Sequence, residues 1–351
     1  MKVVNKYIYI NVFSLVKRLF VYYPNIYSSI KFIPVLIIYN RYISKSGLLN
    51  IFILSSILFI SGNKDIVYYF LPFFCFILFK NQFRKVSFDT LISKTKFLLV
   101  LSIIYGLIQY IFGYLPFEMK WLMSDLSIVN DENLISNRNI RPFSIFASIP
   151  EFTLFCSIYV IYFFYNKNYI WLFISLIGFY ISGTRGLIIS TFLSYIVVYS
   201  FSNYNNVKTI NFTLFLSLLI YFVIYLLSPI LSIISDSYSS NRYLLYGSFT
   251  GRVENLLFRI QDFDISNLLI PMSQTFLTDS HITLDNMHIN LILCFGILGY
   301  ILFLKIFKDI SKDFLTHAYF SLFISYGFYN DIIFSFYSLI LYFVCLYAKK
   351  R

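Results

Sequence analysis

Residues 179–190 read FYISGTRGLIIS, two apolar runs joined by a short polar break around one arginine. The apolar character continues over 168–182 before the joint and over 186–202 after it. Runs of roughly 15–25 residues suit a helix that crosses a ~30 Å hydrocarbon layer. Gly183 and Gly186 flank Arg185, and Ser182 and Thr184 precede it. A permanently charged guanidinium therefore sits where two apolar helices are expected to meet.

The same pattern fills the chain. Of 351 residues, 59% are hydrophobic, 22% aromatic and only 13% charged, with a mean hydropathy of +0.74. Soluble domains carry about a quarter charged residues, so this composition cannot cover a water-facing surface. Apolar segments are expected at about 7–23, 26–40, 47–61, 65–80, 97–115, 142–165, 168–182, 186–202, 209–233, 286–307, 314–329 and 331–348. Lys17 and Arg18 interrupt the first, which fits an interfacial amphipathic helix as well as a span. The expected fold is thus an all-α polytopic membrane protein of about 11–12 transmembrane helices, a single integral membrane domain over 1–351. No small-residue cleavage site follows the first segment, which is expected to be retained. Cys75, Cys156, Cys294 and Cys345 all lie in apolar runs without CxxC spacing and read as small buried hydrophobes.

Net charge is +12, but position matters more than the total. Lys80, Arg84, Lys85, Lys94 and Lys96 crowd the link between the fourth and fifth segments, which marks that link as cytoplasmic. Alternation then puts Lys167, Lys208, the Lys305/Lys308/Lys312 group and both termini on the cytoplasmic side. A first outer loop, 116–141, and a large outer loop, 234–285, fall outside with most of the acidic residues. Arg185 then lies at the outer end of its helix, where an arginine costs far less than the ~3 kcal/mol or more of the bilayer centre. A snorkelling anchor would explain it, but the neighbouring glycines remove bulk and let a ligand or backbone approach.

More polar groups share that side. SNRNIRPFSIFASIPEF carries Arg138 and Arg141 before the sixth segment, with Pro142 suited to a first helical turn. Glu151 is then expected about three turns in, ~15 Å deep, where a carboxylate needs a partner or an aqueous cavity. GSFTGRVENLLFRI places Arg252 in the large loop, ahead of an amphipathic stretch. Asp285, Asn286 and His288 stand at the entrance to the tenth segment. Arginines bind phosphate through a fork of donors, so several at one interface suit a lipid-linked pyrophosphate. An aspartate beside them could take a proton from a sugar hydroxyl. The bland readings are an ion pair for Glu151 and a packing role for His288.

The order RPFSIFASIPEF, SGTRG, TGRVE and DNMHINLILCFGILG resembles the superfamily of O-antigen and capsular polysaccharide polymerases (Wzy type) and O-antigen ligases, over roughly 138–305. The resemblance implies a glycosyltransferase C-like fold and a metal-independent, inverting transfer from undecaprenyl pyrophosphate at the outer face of a bacterial cytoplasmic (inner) membrane. It implies no cofactor. Arg185 and Arg252 would hold the donor pyrophosphate and Asp285 would act as base. Arg138, Arg141, Glu151, Asn286 and His288 would line the substrate cavity. Ligases typically show His-Asn about eleven residues before a Gly-x-x-Gly; here Asp285-Asn286 stands before Gly296 and Gly299, which favours polymerase. Partners implied are lipid-linked glycan donor and acceptor, membrane lipid, a chain-length regulator and a flippase, with no nucleic acid.

Other signals lead elsewhere. Asp262-Phe263-Asp264 looks like a metal-binding DxD, but it falls in an outer loop without a strand–helix nucleotide-binding pattern. His281 and His317 lack ligand-like neighbours, and no Walker loop is present. The alternatives are an O-antigen ligase using a lipid A core acceptor, and a flippase or transporter of lipid-linked oligosaccharide. No internal repeat is visible, which disfavours the inverted-repeat transporters.

Overall fold

The computed structural model describes residues 52–54, 56, 86–125, 142–146, 148–200, 208, 211–220, 223, 286–307, 313–328 and 345–347. Helices are the regular elements among them: α1 Phe88–Phe112, α2 Pro116–Asp125, α3 Ile149–Tyr165, α4 Tyr169–Ser182, α5 Arg185–Tyr199, α6 Asn211–Ile220, α7 Met287–Ile306 and α8 Phe314–Tyr326. By length and composition α1 and α7 are long and apolar enough to cross a membrane, and α3 to α6 are shorter apolar helices. The expected segments before residue 81 and the large loop 234–285 lie outside the described residues, apart from a fragment near 52–56.

Helix α3 is the axis of the bundle, with α1, α4, α5 and α8 packed around it. Tyr319 on α8 donates to the Ile158 carbonyl at 3.0 Å, and Tyr165 stacks on Phe314 at 5.0 Å between centroids. Helices α3 and α8 are therefore antiparallel. Gly106 on α1 and Gly178 on α4 let the helices close in: a Cβ on Gly106 would stand 3.1 Å from Phe152, and one on Gly178 2.7 Å from the Cys156 sulfur. Small residues at such crossings let the helix backbones approach closely and multiply their dispersion contacts. A row of rings, Phe146, Phe155, Tyr159 and Phe163, fills the space along α3, with the first two pairs 4.9 Å apart and the third 5.9 Å. The outward faces hold large apolar side chains; Phe112, Ile170, Tyr180 and Tyr199 are all more than two-thirds exposed.

Three expectations change here. The fifth segment starts at Phe88, well before residue 97, because Ser87 caps it by accepting from the Thr90 amide at 3.3 Å. Lys94 and Lys96 thus lie inside α1. The Lys96 ammonium sits 4.6 Å from the Trp171 ring centre and 5.5 Å from that of Phe163, so its charge is accommodated on aromatic faces. The sixth segment starts at Ile149, so Pro142 precedes the helix within a buried turn. The tenth is not one straight rod: Gly296, at φ 66° and ψ 175°, breaks α7 in the middle. That backbone region is open essentially to glycine alone. His288 and Tyr300 would be ~18 Å apart along an unbroken helix, yet their polar atoms meet at 2.8 Å.

Candidate functional site

Two helix starts and one helix joint make the centre of the site. Ser148 is the N-cap of α3, accepting from the Glu151 amide at 3.4 Å, with Pro150 in the first turn where no donor is needed. Ser148 and Glu151 stand in the S-x-x-E spacing of a capping box. Glu151 therefore lies in the first turn of its helix, 2% exposed, and not three turns deep. A carboxylate there meets the positive end of the helix dipole, a reason for its presence that needs no aqueous shaft.

The SGTRG stretch is the joint between α4 and α5. Ser182 ends α4, Gly183 takes the left-handed conformation at φ 63°, Thr184 is the N-cap of α5 and Arg185 its first residue. Gly183 is thus required as a C-cap, whatever else approaches the turn. Thr184 gives no side-chain cap to its own helix. Its hydroxyl is instead hydrogen-bonded to that of Thr153 on α3 at 2.8 Å, and Thr153 also donates to the Ile149 carbonyl. This ties the arginine-bearing turn to the helix start that carries Glu151.

Asn286 and His288 belong to the same end of the bundle, because they are fastened to the last turn of α8. Asn286 caps α7 through the Ile289 amide at 3.1 Å and reaches the Phe328 carbonyl. The Met287 amide donates to the Gly327 carbonyl at 2.7 Å. His288 lies 2.8 Å from the Ile324 carbonyl through Nε2 and 2.8 Å from the Tyr300 hydroxyl through Nδ1. A carbonyl only accepts, so Nε2 carries the proton and Nδ1 accepts from Tyr300. Both nitrogens are committed to the protein, and the ring is 4% exposed. His288 therefore holds the start of α7 against the last turn of α8.

A further polar cluster, formed by residues outside the expected set, joins α1, α2 and the turn before α3. Glu118, fully buried, accepts at Oε1 from the Tyr105 hydroxyl at 2.8 Å and from Gln109 Nε2 at 2.7 Å. Its Oε2 accepts from the Leu115 amide at 3.0 Å. Gln109 Oε1 then accepts from the Ser144 amide at 2.7 Å, and the Ser144 hydroxyl donates to the Ser102 carbonyl. The sequence signal for it is local: Pro116 opens α2 and Glu118 sits where a capping-box carboxylate reaches back to the residue before the helix.

The opposite end is built differently. There Lys96 lies over Trp171, the Tyr162 hydroxyl donates to Asp89 at 2.6 Å, and Lys167 is exposed. Of the expected site residues, Glu151, Asn286, His288 and the backbone of Arg185 are thus brought to one end of the bundle. Arg138, Arg141, Arg252 and Asp285 lie outside the described residues, as does the Arg185 side chain. Among the described residues no group of His, Cys, Asp and Glu could hold a metal ion. No family model, curated protein or solved structure matches the chain.

Proposed function

We propose that this protein is a multi-pass membrane enzyme that polymerises lipid-linked oligosaccharide repeat units at the outer face of a bacterial cytoplasmic membrane. The observation that carries the reading is the Thr153–Thr184 tie, which puts the SGTRG turn beside the α3 start holding Glu151. The Asn286–His288 corner sits at the same bundle end. Lys96 and Lys167 mark the other end, in keeping with a cytoplasmic side rich in lysine. Broad apolar outer faces on α1, α4 and α5 support immersion of the bundle in lipid.

In this reading Arg185 and Arg252 grip the donor pyrophosphate. The bond between the sugar anomeric carbon and the phosphate oxygen breaks as the acceptor hydroxyl forms a new glycosidic bond on the opposite face. Asp285 takes the hydroxyl proton, and undecaprenyl pyrophosphate leaves with its charge held by the arginines. Arg138, Arg141 and Glu151 shape the cavity, and Asn286 with His288 sets the angle of Asp285.

Deletion of the gene tests this. Loss of a polymerase leaves single repeat units on the acceptor, loss of a ligase leaves the acceptor bare, and loss of a flippase leaves repeats inside the cell. Complementation with Arg185→Ala or Arg252→Ala should give the polymerase-null glycan pattern at normal protein levels. Normal chain lengths from either variant would overturn the pyrophosphate assignment.

A further inference from the structure

The buried bridge of Glu118, Gln109 and Ser144 is not used by the chemistry above, and its polarity is unusually constrained. Glu118 takes hydrogen bonds from three donors of three kinds: a phenol, an amide side chain and a backbone N–H. Gln109 must turn its nitrogen to the carboxylate because its oxygen is claimed by the Ser144 amide. Ser144 itself holds φ 54°, a left-handed conformation that a non-glycine residue keeps only where its surroundings hold it. Its hydroxyl is anchored to the α1 backbone at Ser102. The turn is therefore pinned to α1 at two points, one of them the Gln109 amide that Glu118 orients.

We propose that Glu118 is a positioning residue that fixes, through Gln109, the corner from which α3 departs, and so sets the register of Glu151. Glu118 touches no substrate in this scheme, and the inference rests on the polymerase reading for its functional consequence.

The hydrogen-bond directions make a sharp test. In Glu118→Gln, one end of the new amide must present a nitrogen either to Gln109 and Tyr105 or to the Leu115 N–H. Facing Leu115 it sets donor against donor. Facing Gln109 it forces that amide to flip and sets donor against donor at Ser144. The exchanged pair, Glu118→Gln with Gln109→Glu, removes the conflict. The carboxylate moved to position 109 accepts from the Ser144 amide and from the amide moved to position 118. The second N–H of that amide reaches the Tyr105 oxygen, and its carbonyl accepts from Leu115.

The experiment uses the full chain in proteoliposomes with lipid-linked repeat units accumulated by the deletion strain. Turnover, KM and melting temperature are measured, with hydrogen exchange of the 143–148 amides in parallel. Glu118→Gln should lower kcat/KM by about tenfold to a hundredfold, the scale of a ~1 Å misplacement. Exchange at 143–148 should rise at least about tenfold, and the exchanged pair should restore both. Wild-type turnover and exchange in Glu118→Gln would overturn the proposal. So would an exchanged pair that accumulates normally but stays as impaired as the single variant. If Glu118→Gln fails to accumulate, the exchanged pair decides alone by the same two readouts. Wild-type protein that builds no longer glycan would sink the polymerase reading, and the exchange measurement would still decide the bridge.

Discussion

The hydroxyls of Thr153 and Thr184 lie 2.8 Å apart, joining the first turns of α3 to the cap of α5. Thr153 is fully buried, so its partner is not readily replaced by water. Two segments about thirty residues apart in sequence are thereby held at one bundle end. Glu151 precedes Thr153 by half a helical turn, and Arg185 follows Thr184 directly.

The two hydroxyls should contribute as a coupled pair and not independently. Thr153→Val leaves Thr184 without this partner and is expected to destabilise by ~1–2 kcal/mol. The double variant Thr153→Val/Thr184→Val should lose less than the sum of the two single changes. A double-mutant cycle on thermal melts in detergent measures the coupling, which should be at least ~0.5 kcal/mol.

Close packing of α1, α3 and α4 makes Gly178 sensitive. A methyl there would approach the Cys156 sulfur at 2.7 Å and Ile103 at 3.0 Å, so Gly178→Ala should cost ~1–3 kcal/mol through overpacking. Adding Cys156→Ala opens room for the methyl and should recover part of the loss. Unfolding in urea of the two variants side by side checks the pair.

Gly296 is expected to tolerate no side chain. At φ 66° and ψ 175° an alanine is strained by ~1–3 kcal/mol, and relief by straightening α7 would separate Tyr300 from His288. Tyr300→Phe should therefore destabilise the parent protein and have little further effect once Gly296→Ala is present. Melting temperatures of the four proteins read this directly.

Sidedness has its own readout. Lys120 on α2 and Asn168 at the α3–α4 turn are both exposed and lie toward opposite bundle ends. Cys156, Cys294 and Cys345 are buried and should stay silent. An impermeant maleimide on whole cells should label Lys120→Cys, and should label Asn168→Cys only after permeabilisation. Equal labelling from outside would contradict the orientation.

Parts of this arrangement are legible in the residues alone. The α4–α5 joint falls within a residue of its expected place, because a glycine able to turn left-handed follows one apolar run and only Thr184 separates it from the next helix. The start of α1 is hidden from hydropathy, which ends at charged residues, whereas Lys96 lays its ammonium on aromatic faces and stays in the helix. Glu151 sits shallower than expected because Ser148, not Pro142, opens the helix, and Ser148 with Glu151 carries the capping pattern. The break at Gly296 leaves no mark in an apolar run, since its evidence is a backbone angle. Likewise, Gln109 and Ser144 are 35 residues apart and show no sign in sequence of sharing a hydrogen bond.

The most direct measurement reconstitutes the purified full chain with lipid-linked repeat units and follows glycan length over time, beside Arg185→Ala. Ladders of joined repeats from the wild-type protein, without added metal or nucleotide, and single units from the variant are the expected result. Unchanged single units from the wild-type protein, or equal ladders from both, would contradict it.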